Sequence, residues 1–259
     1  MMRVSEPNKI DTPESGRPAP DHAAFAQVAR GYYTPIVALF TATLIISNIC
    51  ATKGVQFFTD QSLKIGPLEV LPISTDGAWF LFPLAYIVGD VLSEIYGFKS
   101  ARRAIYYGFA VLLLTVVCFK IAIELPVATF YENQDAFRTV IGTTPQLVAA
   151  GLAGYFVGEM LNSATLVLIK ERTKEKHLWA RLIGSTVVGE FGDTLIFCSI
   201  AATAIGIDSW GQFVNYVIVG FLWKTLAEVI VLPITYRVIA WLKKHEPTYA
   251  PSPEPALLS

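Results

Sequence analysis

Residues 77–96 read GAWFLFPLAYIVGDVLSEIY, and Asp90 and Glu94 are the only charged side chains among them. A stretch of about 20 mostly apolar residues is long enough to cross about 30 Å of hydrocarbon as an α-helix. The two acids lie four residues apart, so they share one face of that helix. Because an isolated charge at the bilayer centre is costly, this stretch predicts a membrane helix whose acids face other protein groups or a wet cavity.

The composition of the whole chain indicates the same environment. Of its 259 residues, 53% are hydrophobic and 16% are charged, whereas soluble domains contain roughly 25% charged residues. The sequence therefore predicts an integral membrane protein. Its formal net charge of -1 gives no reason to expect a nucleic-acid partner.

Cysteine and histidine are too sparse and too scattered to form a metal or redox site. The cysteines lie far apart in apolar stretches, and the histidines lie in loops or near the chain ends: Cys50, Cys118, Cys198, His22, His177 and His245. We expect no disulfide framework, no metal site and no cofactor.

Six stretches are long and apolar enough to cross a membrane: 33–51, 77–96, 101–124, 146–170, 180–206 and 212–241. The expected fold is an all-α membrane protein with six transmembrane helices in one domain at 33–241. Prolines among charged residues predict disordered tails at 1–32 and 242–259. The outer loop at 52–76 turns at Gly66-Pro67, which favours a short hairpin acting as a lid. An irregular packed loop fits that segment equally well.

Basic residues in the loops predict the orientation, because Lys and Arg concentrate on the cytoplasmic side. With the N-terminus inside, twelve basic residues fall on the inner side and four on the outer side. The inner residues are Arg30, Lys99, Arg102, Arg103, Lys170, Arg172, Lys174, Lys176, Arg181, Arg237, Lys243 and Lys244, and the outer residues are Lys53, Lys64, Lys120 and Arg138. We therefore expect both termini to be cytoplasmic.

Charged residues inside four of the spans are the main candidates for function. Each would cost about 2.5–3.5 kcal/mol if it stood alone at the bilayer centre. Helical spacing places them on polar stripes that face a common interior, with Tyr86, Tyr155 and Asn162 on the same stripes. These charged residues are Asp90, Glu94, Glu159, Glu190, Asp193, Lys224 and Glu228. Structural ion pairs and hydrogen bonds between helices are the alternative role for each of them.

The balance of these charges suggests a class of ligand. Six acids and one lysine make an interior rich in acceptors, which suits a cationic or donor-rich molecule. A carboxylate accepts two parallel N–H bonds, as the ring N–H and the amine of a guanine-like edge would supply. Lys224, or the amide of Asn48 or Asn162, would then donate to the ring carbonyl. Uptake coupled to protons and uptake without an ion gradient are both compatible with this sequence.

A long motif in the second span is the most specific feature of the chain. It comprises FPL at 82–84, DVLSEIYG at 90–97 and then Ala101-Arg102. Shorter polar motifs accompany it: Ser47-Asn48-Ile49 with Lys53, Gly158-Glu159 with Asn162-Ser163, Arg181 before Gly189-Glu190, Asp193-Thr194, and Lys224. Together these residues resemble the queuosine precursor transporter family, also called the vitamin uptake transporter family, over roughly 33–241.

The resemblance implies uptake of the cyano and aminomethyl forms of 7-deazaguanine across the bacterial inner membrane. It also implies a fold similar to the substrate-binding subunits of energy-coupling-factor vitamin transporters. The residues expected to bind substrate are Asn48, Asp90, Glu159, Asn162, Glu190, Asp193 and Lys224. Those expected to support or gate the site are Lys53, Tyr86, Glu94, Tyr155, Arg181 and Glu228.

Other functions compete with this interpretation. The chain could be a ligand-binding subunit that needs a separate ATP-driven partner, since it contains no Walker A motif of its own. An intramembrane aspartyl protease would need Asp90 and Asp193 to share a proton, but the Gly-x-Gly-Asp signature is missing at both positions. We therefore expect a transporter and not an enzyme. A monomer and a small homo-oligomer are both compatible with the sequence.

Overall fold

The computed structural model describes residues 31–142, 145–174, 176–205 and 207–250. Long helices make up most of these residues, and a small β-structured loop follows the first helix. The elements in chain order are α1 (Tyr33–Cys50), β1 (Gly54–Phe57), β2 (Leu63–Ile65), β3 (Leu68–Leu71), β4 (Ile73–Asp76), α2 (Phe82–Glu124), α3 (Gln134–Ile141), α4 (Pro145–Thr173), α5 (Leu178–Ala201), a 3₁₀ turn (Ala202–Ile205) and α6 (Trp210–His245).

Among the described residues, five helical regions are long and apolar enough to cross a membrane. The sequence predicts six spans, and the difference lies in α2. That helix covers 43 residues and contains both predicted spans 77–96 and 101–124, with non-helical backbone at Gly97 (φ 75°, ψ 173°). This backbone region is essentially restricted to glycine. The described part of the chain is therefore that of an all-α membrane protein with five long apolar helices, and one of them, α2, is interrupted at Gly97.

The segment that leads into α2 and the residues just after Gly97 lie at opposite ends of α1. Before α2 begins, the backbone N–H of Gly77 donates to Lys53 O at 2.7 Å, just beyond the C-terminal end of α1. Three residues after Gly97, Ser100 O accepts a hydrogen bond of 2.9 Å from the Tyr33 hydroxyl at the start of α1. A Cβ atom added to Gly108, eleven residues after Gly97, would lie 2.8 Å from the Leu44 side chain. The chain thus returns along α1 after Gly97.

Two buried clusters hold the helices together. One joins α1 to both parts of α2 through side chains that include Phe40, Leu44, Leu92 and Ala104. The other joins α2, α4, α5 and α6. The most extensive contact between two elements is that of α4 with α5. Many large apolar side chains on the outside of the helices remain exposed, as expected for a surface that faces lipid.

The outer loop forms two small antiparallel sheets. The predicted hairpin at Gly66-Pro67 is present, with β2 paired to β3, and β1 pairs with β4 outside it. Gly66 has a positive φ of 61°, which the turn requires. The hairpin is attached to α6, because the Glu69 N–H donates to Asn215 Oδ1 at 2.8 Å. The loop is therefore ordered against the bundle.

The last helix continues beyond its predicted end at residue 241. It begins with a capping box in which Ser209 and Gln212 exchange hydrogen bonds, and it ends at His245. Leu242 is buried in the second core cluster, so burial of this apolar side chain extends the helix into the segment assigned to the C-terminal tail. Of the two predicted tails, 1–30 and 251–259 lie outside the described residues.

Candidate functional site

Lys224 joins two acids of the neighbouring helix. Its Nζ on α6 donates to Asp193 Oδ2 at 2.8 Å and lies 3.3 Å from Glu190 Oε2. Glu190 is fully buried, whereas the side chains of Lys224 and Asp193 remain 24% and 22% exposed. The sequence places all three residues in one group, and the structure brings them together. The group offers an ammonium donor beside carboxylate acceptors.

A second polar group lies between α2, α4, α5 and α6. The Asn162 amide donates to Asp90 Oδ1 at 3.1 Å, and the Thr186 hydroxyl contacts Glu228 Oε1. The carboxyl groups of Asp90 and Glu228 are within hydrogen-bonding reach of each other. Thr186 is absent from the predicted set. Its position four residues before Glu190, on the same helical face, is the signal that identifies it.

Glycines let α4 and α5 approach closely beside these acids. A Cβ atom on Gly158 would lie 2.6 Å from Asp193 Cβ and 3.1 Å from Gly189 O. A Cβ atom on Gly189 would lie 2.6 Å from Asn162 Cβ. The repeated Gly-acid motif in these two helices therefore serves close packing, which brings Asp193 and Asn162 to the helix crossing.

Glu159 lies on α4 beside α2. A Cβ atom on Gly89 would lie 3.0 Å from Glu159 Oε2, so this carboxyl group covers the backbone one residue before Asp90. Glu159 is buried. No basic side chain lies within ion-pair distance of it among the described parts of the chain. Within those parts, its acceptor oxygens therefore have no cation beside them.

Glu94 lies apart from these groups, at the other end of the helices. Arg181 binds its carboxylate with two hydrogen bonds, from Nε to Oε2 at 2.8 Å and from Nη2 to Oε1 at 2.6 Å. Lys243 Nζ is 2.7 Å from Oε1, and Lys170 Nζ is 3.6 Å from it. One acid thus holds together four helices, α2, α4, α5 and α6. Of the three bases, the sequence analysis assigns only Arg181 to the site.

Four predicted residues do not reach the acids. The Asn48 amide is exposed and donates to Leu44 O of its own helix at 2.9 Å. Lys53 is exposed in the outer loop, and Tyr86 is half-buried on α2. The Tyr155 hydroxyl points to Ile105 O at 3.4 Å, so it packs against the second part of α2.

Several buried polar atoms near the acids have no hydrogen-bond partner among the described residues. Buried polar groups are nearly always satisfied, so such atoms mark places where water or a ligand completes the site. Glu190 Oε2 nevertheless lies 3.3 Å from Lys224 Nζ, within ion-pair distance. The atoms are Asn162 Oδ1, both Glu190 carboxyl oxygens, Glu228 Oε2, Thr194 Oγ1 and Thr225 Oγ1.

A groove with a different character lies on the outside of α4, α5 and α6. It has a volume of about 470 Å³ and is lined by Leu161, Val187, Val188, Phe191, Gly192 and Phe221. Phe191 is exposed there and contacts the Phe221 ring edge-on. The lining is apolar, so this groove is distinct from the polar site.

Within the described ranges no group of three His, Cys, Asp or Glu residues could hold a metal ion.

Glu246 is a buried acid that sequence reasoning leaves out, because it follows the last span and begins a proline-containing segment. Its Oε2 accepts hydrogen bonds from the Tyr32 N–H at 2.9 Å and from the Tyr96 hydroxyl at 2.7 Å. Burial raises the pKa of Glu246, but donation from Tyr32, Thr248 and Tyr96 outweighs it, so the net pKa is lowered. The carboxylate thereby ties the end of α6 to the start of α1 and to the residue before Gly97.

Comparison with known proteins places these groups in context. Residues 76–238 match a family model described as "Putative vitamin uptake transporter". The "Probable queuosine precursor transporter" of Bacillus subtilis is 27% identical over 157 residues, or 60% of this chain and 68% of that protein. The "Queuosine precursor transporter" of Escherichia coli is 22% identical over 177 residues, or 67% of this chain and 76% of that protein.

No solved structure matches the chain. The aspartyl protease alternative is also unsupported by the geometry, because Asp193 binds Lys224 while Asp90 binds Asn162. The relatives are named as transporters. These names agree with the expectation that the chain is a transporter and not an enzyme.

Proposed function

Because the chain belongs to the vitamin uptake transporter family, we propose that it takes up queuosine precursors across the bacterial inner membrane. The proposed substrates are 7-cyano- and 7-aminomethyl-7-deazaguanine, which the relatives' names and the sequence motifs both favour. The observation that carries the proposal is the group of Lys224, Asp193 and Glu190, where a donor and two acceptors lie side by side inside a membrane protein.

The chemistry of this group suits an amino-pyrimidinone ring. Its ring N–H and exocyclic amine would donate to one carboxylate, and its carbonyl would accept from Lys224. Lys224 and Asp193 are still partly exposed, so a ligand can reach them. Glu190 lies behind them and keeps the ammonium group oriented. Asn162 and Thr194 add buried polar atoms with no protein partner on the described residues.

Glu159 and Asp90 extend the proposed site toward α2. Glu159 has acceptor oxygens without a cation, and it lies beside Gly89. A donor-rich ring bound between Asp193 and Glu159 would satisfy acceptors on both sides. We assign substrate contact to Asp193, Lys224, Glu190, Glu159, Asp90 and Asn162. Asn48 and Lys53 contribute at the outer mouth, where the first helix ends.

A six-crossing topology with both termini in the cytoplasm accounts for the contacts of α2. Reversal at Gly97 would let 82–96 and 98–124 cross the membrane separately, in opposite directions. The ring of Tyr32, before α1, lies 5.1 Å from that of Trp241, near the end of α6, which supports placing both termini on one side. Lys170, Arg181 and Lys243 gather at that same end, as expected for the cytoplasmic side.

The cytoplasmic end is closed in this arrangement. Glu94 and its three basic partners cross the bundle below the proposed site, and Glu246 ties the ends of α1 and α6 beside them. We assign Glu94 and Arg181 to an inner gate that must open before substrate is released. We assign this arrangement to a state that receives substrate from outside.

Direct binding tests this proposal. Cyano and aminomethyl 7-deazaguanine are added to the purified protein in detergent, with guanine and an unrelated soluble vitamin as competitors. We expect selective binding of a deazaguanine, lost in Asp193→Ala and retained in Glu124→Gln, which alters an acid outside the site. Equal binding by wild type and Asp193→Ala would contradict the site, and no binding by wild type would contradict the substrate.

A further inference from the structure

The acids inside the helices differ in whether a base accompanies them. Glu94 has Arg181 and Lys243, and the acids at 190 and 193 share Lys224. Asp90 and Glu228 have no basic partner among the described residues, although they are only 1% and 4% exposed. A buried carboxylate without a counter-charge is strongly unfavourable. Something other than a protein base must neutralise this pair.

The two side chains are positioned against each other from four helices. The Asn162 amide on α4 donates to Asp90 Oδ1 at 3.1 Å, and Thr186 on α5 contacts Glu228 Oε1. The carboxyl groups of Asp90 and Glu228 are also within hydrogen-bonding reach of each other. Two carboxyl groups in hydrogen-bonding contact need a proton between them, because neither carboxylate can donate.

The charged surroundings of the pair favour the same state. Glu159, on α4, and Glu94, on α2 like Asp90 itself, both lie close enough to repel a negative charge on Asp90. Glu159 and Glu190 repel a negative charge on Glu228 in the same way. Every one of these neighbours is an acid, and Lys224 is occupied by Glu190 and Asp193. Like charges close together disfavour two ionised groups. A single proton shared by the two carboxyl groups would relieve this repulsion.

We propose that Asp90 and Glu228 form a proton-binding site that couples substrate uptake to the proton gradient. The inference rests on the proposed transport function and adds its driving force. A proton from the outer solution binds when α2 and α6 bring the two carboxyl groups together. It is released to the cytoplasm when those helices separate at the inner end, so one proton enters with each substrate molecule.

Proteoliposomes test the coupling with the membrane potential clamped at zero. Exchange of labelled for unlabelled deazaguanine at equal pH reports transport alone, and accumulation under an inward acid gradient reports coupling. For wild type, each pH unit of gradient should raise the accumulation ratio about tenfold at one proton per substrate. In Glu228→Gln the amide donates to Asp90 but cannot titrate, so the ratio of accumulation to exchange should no longer respond to the gradient.

The outcomes separate this inference from the proposed function. Wild-type accumulation that ignores the gradient, or a gradient response in Glu228→Gln, would overturn the coupling while transport itself stands. No exchange of any deazaguanine by wild type would overturn the substrate assignment. In that case infrared spectroscopy of the purified protein decides the proton site. The carbonyl absorption of protonated carboxyl groups near neutral pH should be weaker in Glu228→Gln than in wild type, since Glu159 also lacks a basic partner in the described part of the chain and keeps its own contribution, and it should be unchanged in Glu246→Gln.

A second variant covers the case in which Glu228→Gln does not fold. Thr186→Val removes the hydroxyl that donates to Glu228 and keeps both carboxyl groups. Because this hydroxyl contacts Glu228 directly, its loss should shift the midpoint of the gradient response away from the wild-type pH. An unchanged midpoint would contradict the assignment of the proton to this pair.

Discussion

Arg181 and Glu94 form a bidentate ion pair in which both side chains are almost completely buried. Removal of one partner from a buried pair is expected to cost about 3–5 kcal/mol of stability, since the other charge is left without compensation. Arg181→Gln should therefore lower the melting temperature of the detergent-purified protein. Lys170 and Lys243 stay near Glu94 and limit the loss.

The matched control for this prediction is Lys120→Gln. It breaks the Lys120–Glu124 pair, whose side chains are 72% and 63% exposed. Exposed pairs contribute little because water and salt screen them. The melting temperature of this variant should stay at the wild-type value, and a fall as large as that of Arg181→Gln would show that burial does not set the effect.

Lys224 is expected to matter for both folding and ligand binding. Lys224→Met leaves Asp193 and Glu190 without a cation, so its melting temperature should fall and its affinity for a deazaguanine should drop by more than about tenfold, equivalent to about 1.4 kcal/mol. Adding Asp193→Asn to Lys224→Met removes an uncompensated charge. The double variant should regain stability without regaining binding; recovery of binding would remove Lys224 from the site.

Close packing of α4 against α5 predicts opposite effects for two glycines of the same helix. Gly158→Ala places a methyl group 2.6 Å from Asp193 Cβ, and overpacking of this kind costs about 1–3 kcal/mol. Gly151→Ala meets no atom within 4 Å and should raise stability by up to about 1 kcal/mol through helix propensity. Thermal unfolding and uptake of both variants check the pair; equal behaviour would mean that the helices are not in contact at Gly158.

Glu246 gives a prediction for acid pH. Its lowered pKa, caused by donors that outweigh desolvation, means that the folded state favours the carboxylate. The stabilisation is therefore complete above the unfolded pKa of about 4.3 and is lost as the pH falls through the lower folded value. Wild type should exceed Glu246→Gln in melting temperature by a constant amount near neutrality, and the gap should close in acid. A difference in melting temperature that grows in acid would contradict the lowered pKa of Glu246.

Much of this architecture follows from sequence because hydrophobic length and helical spacing act locally. The apolar stretches correspond to helices, and the turn at Gly66 is present. Spacing also groups Glu190 with Asp193, which share Lys224 in the structure. Both inferences need only the period of a helix or the conformation of one residue.

Partners across helices are harder to predict because they depend on the rotation of each helix. Asp90 and Glu94 share a face of α2, yet one binds Asn162 and the other binds Arg181. Asn48 is predicted to bind substrate, but its amide donates to the backbone of its own helix. The hydrogen bonds of Glu246 cannot be predicted from spacing, because its donors, Tyr32 and Tyr96, lie more than a hundred residues away in the sequence.

The interruption at Gly97 bears on how the protein enters the membrane during synthesis. Residues 82–96 span only about 22 Å as a helix, less than the roughly 30 Å of a hydrocarbon core, and they carry two acids. This arm is a weak insertion signal by itself. The longer apolar arm at 98–124 follows immediately, and in the proposed six-crossing topology a reversal at Gly97 would let the two leave the translocon together. Biogenesis of the polar helix would then depend on its neighbour.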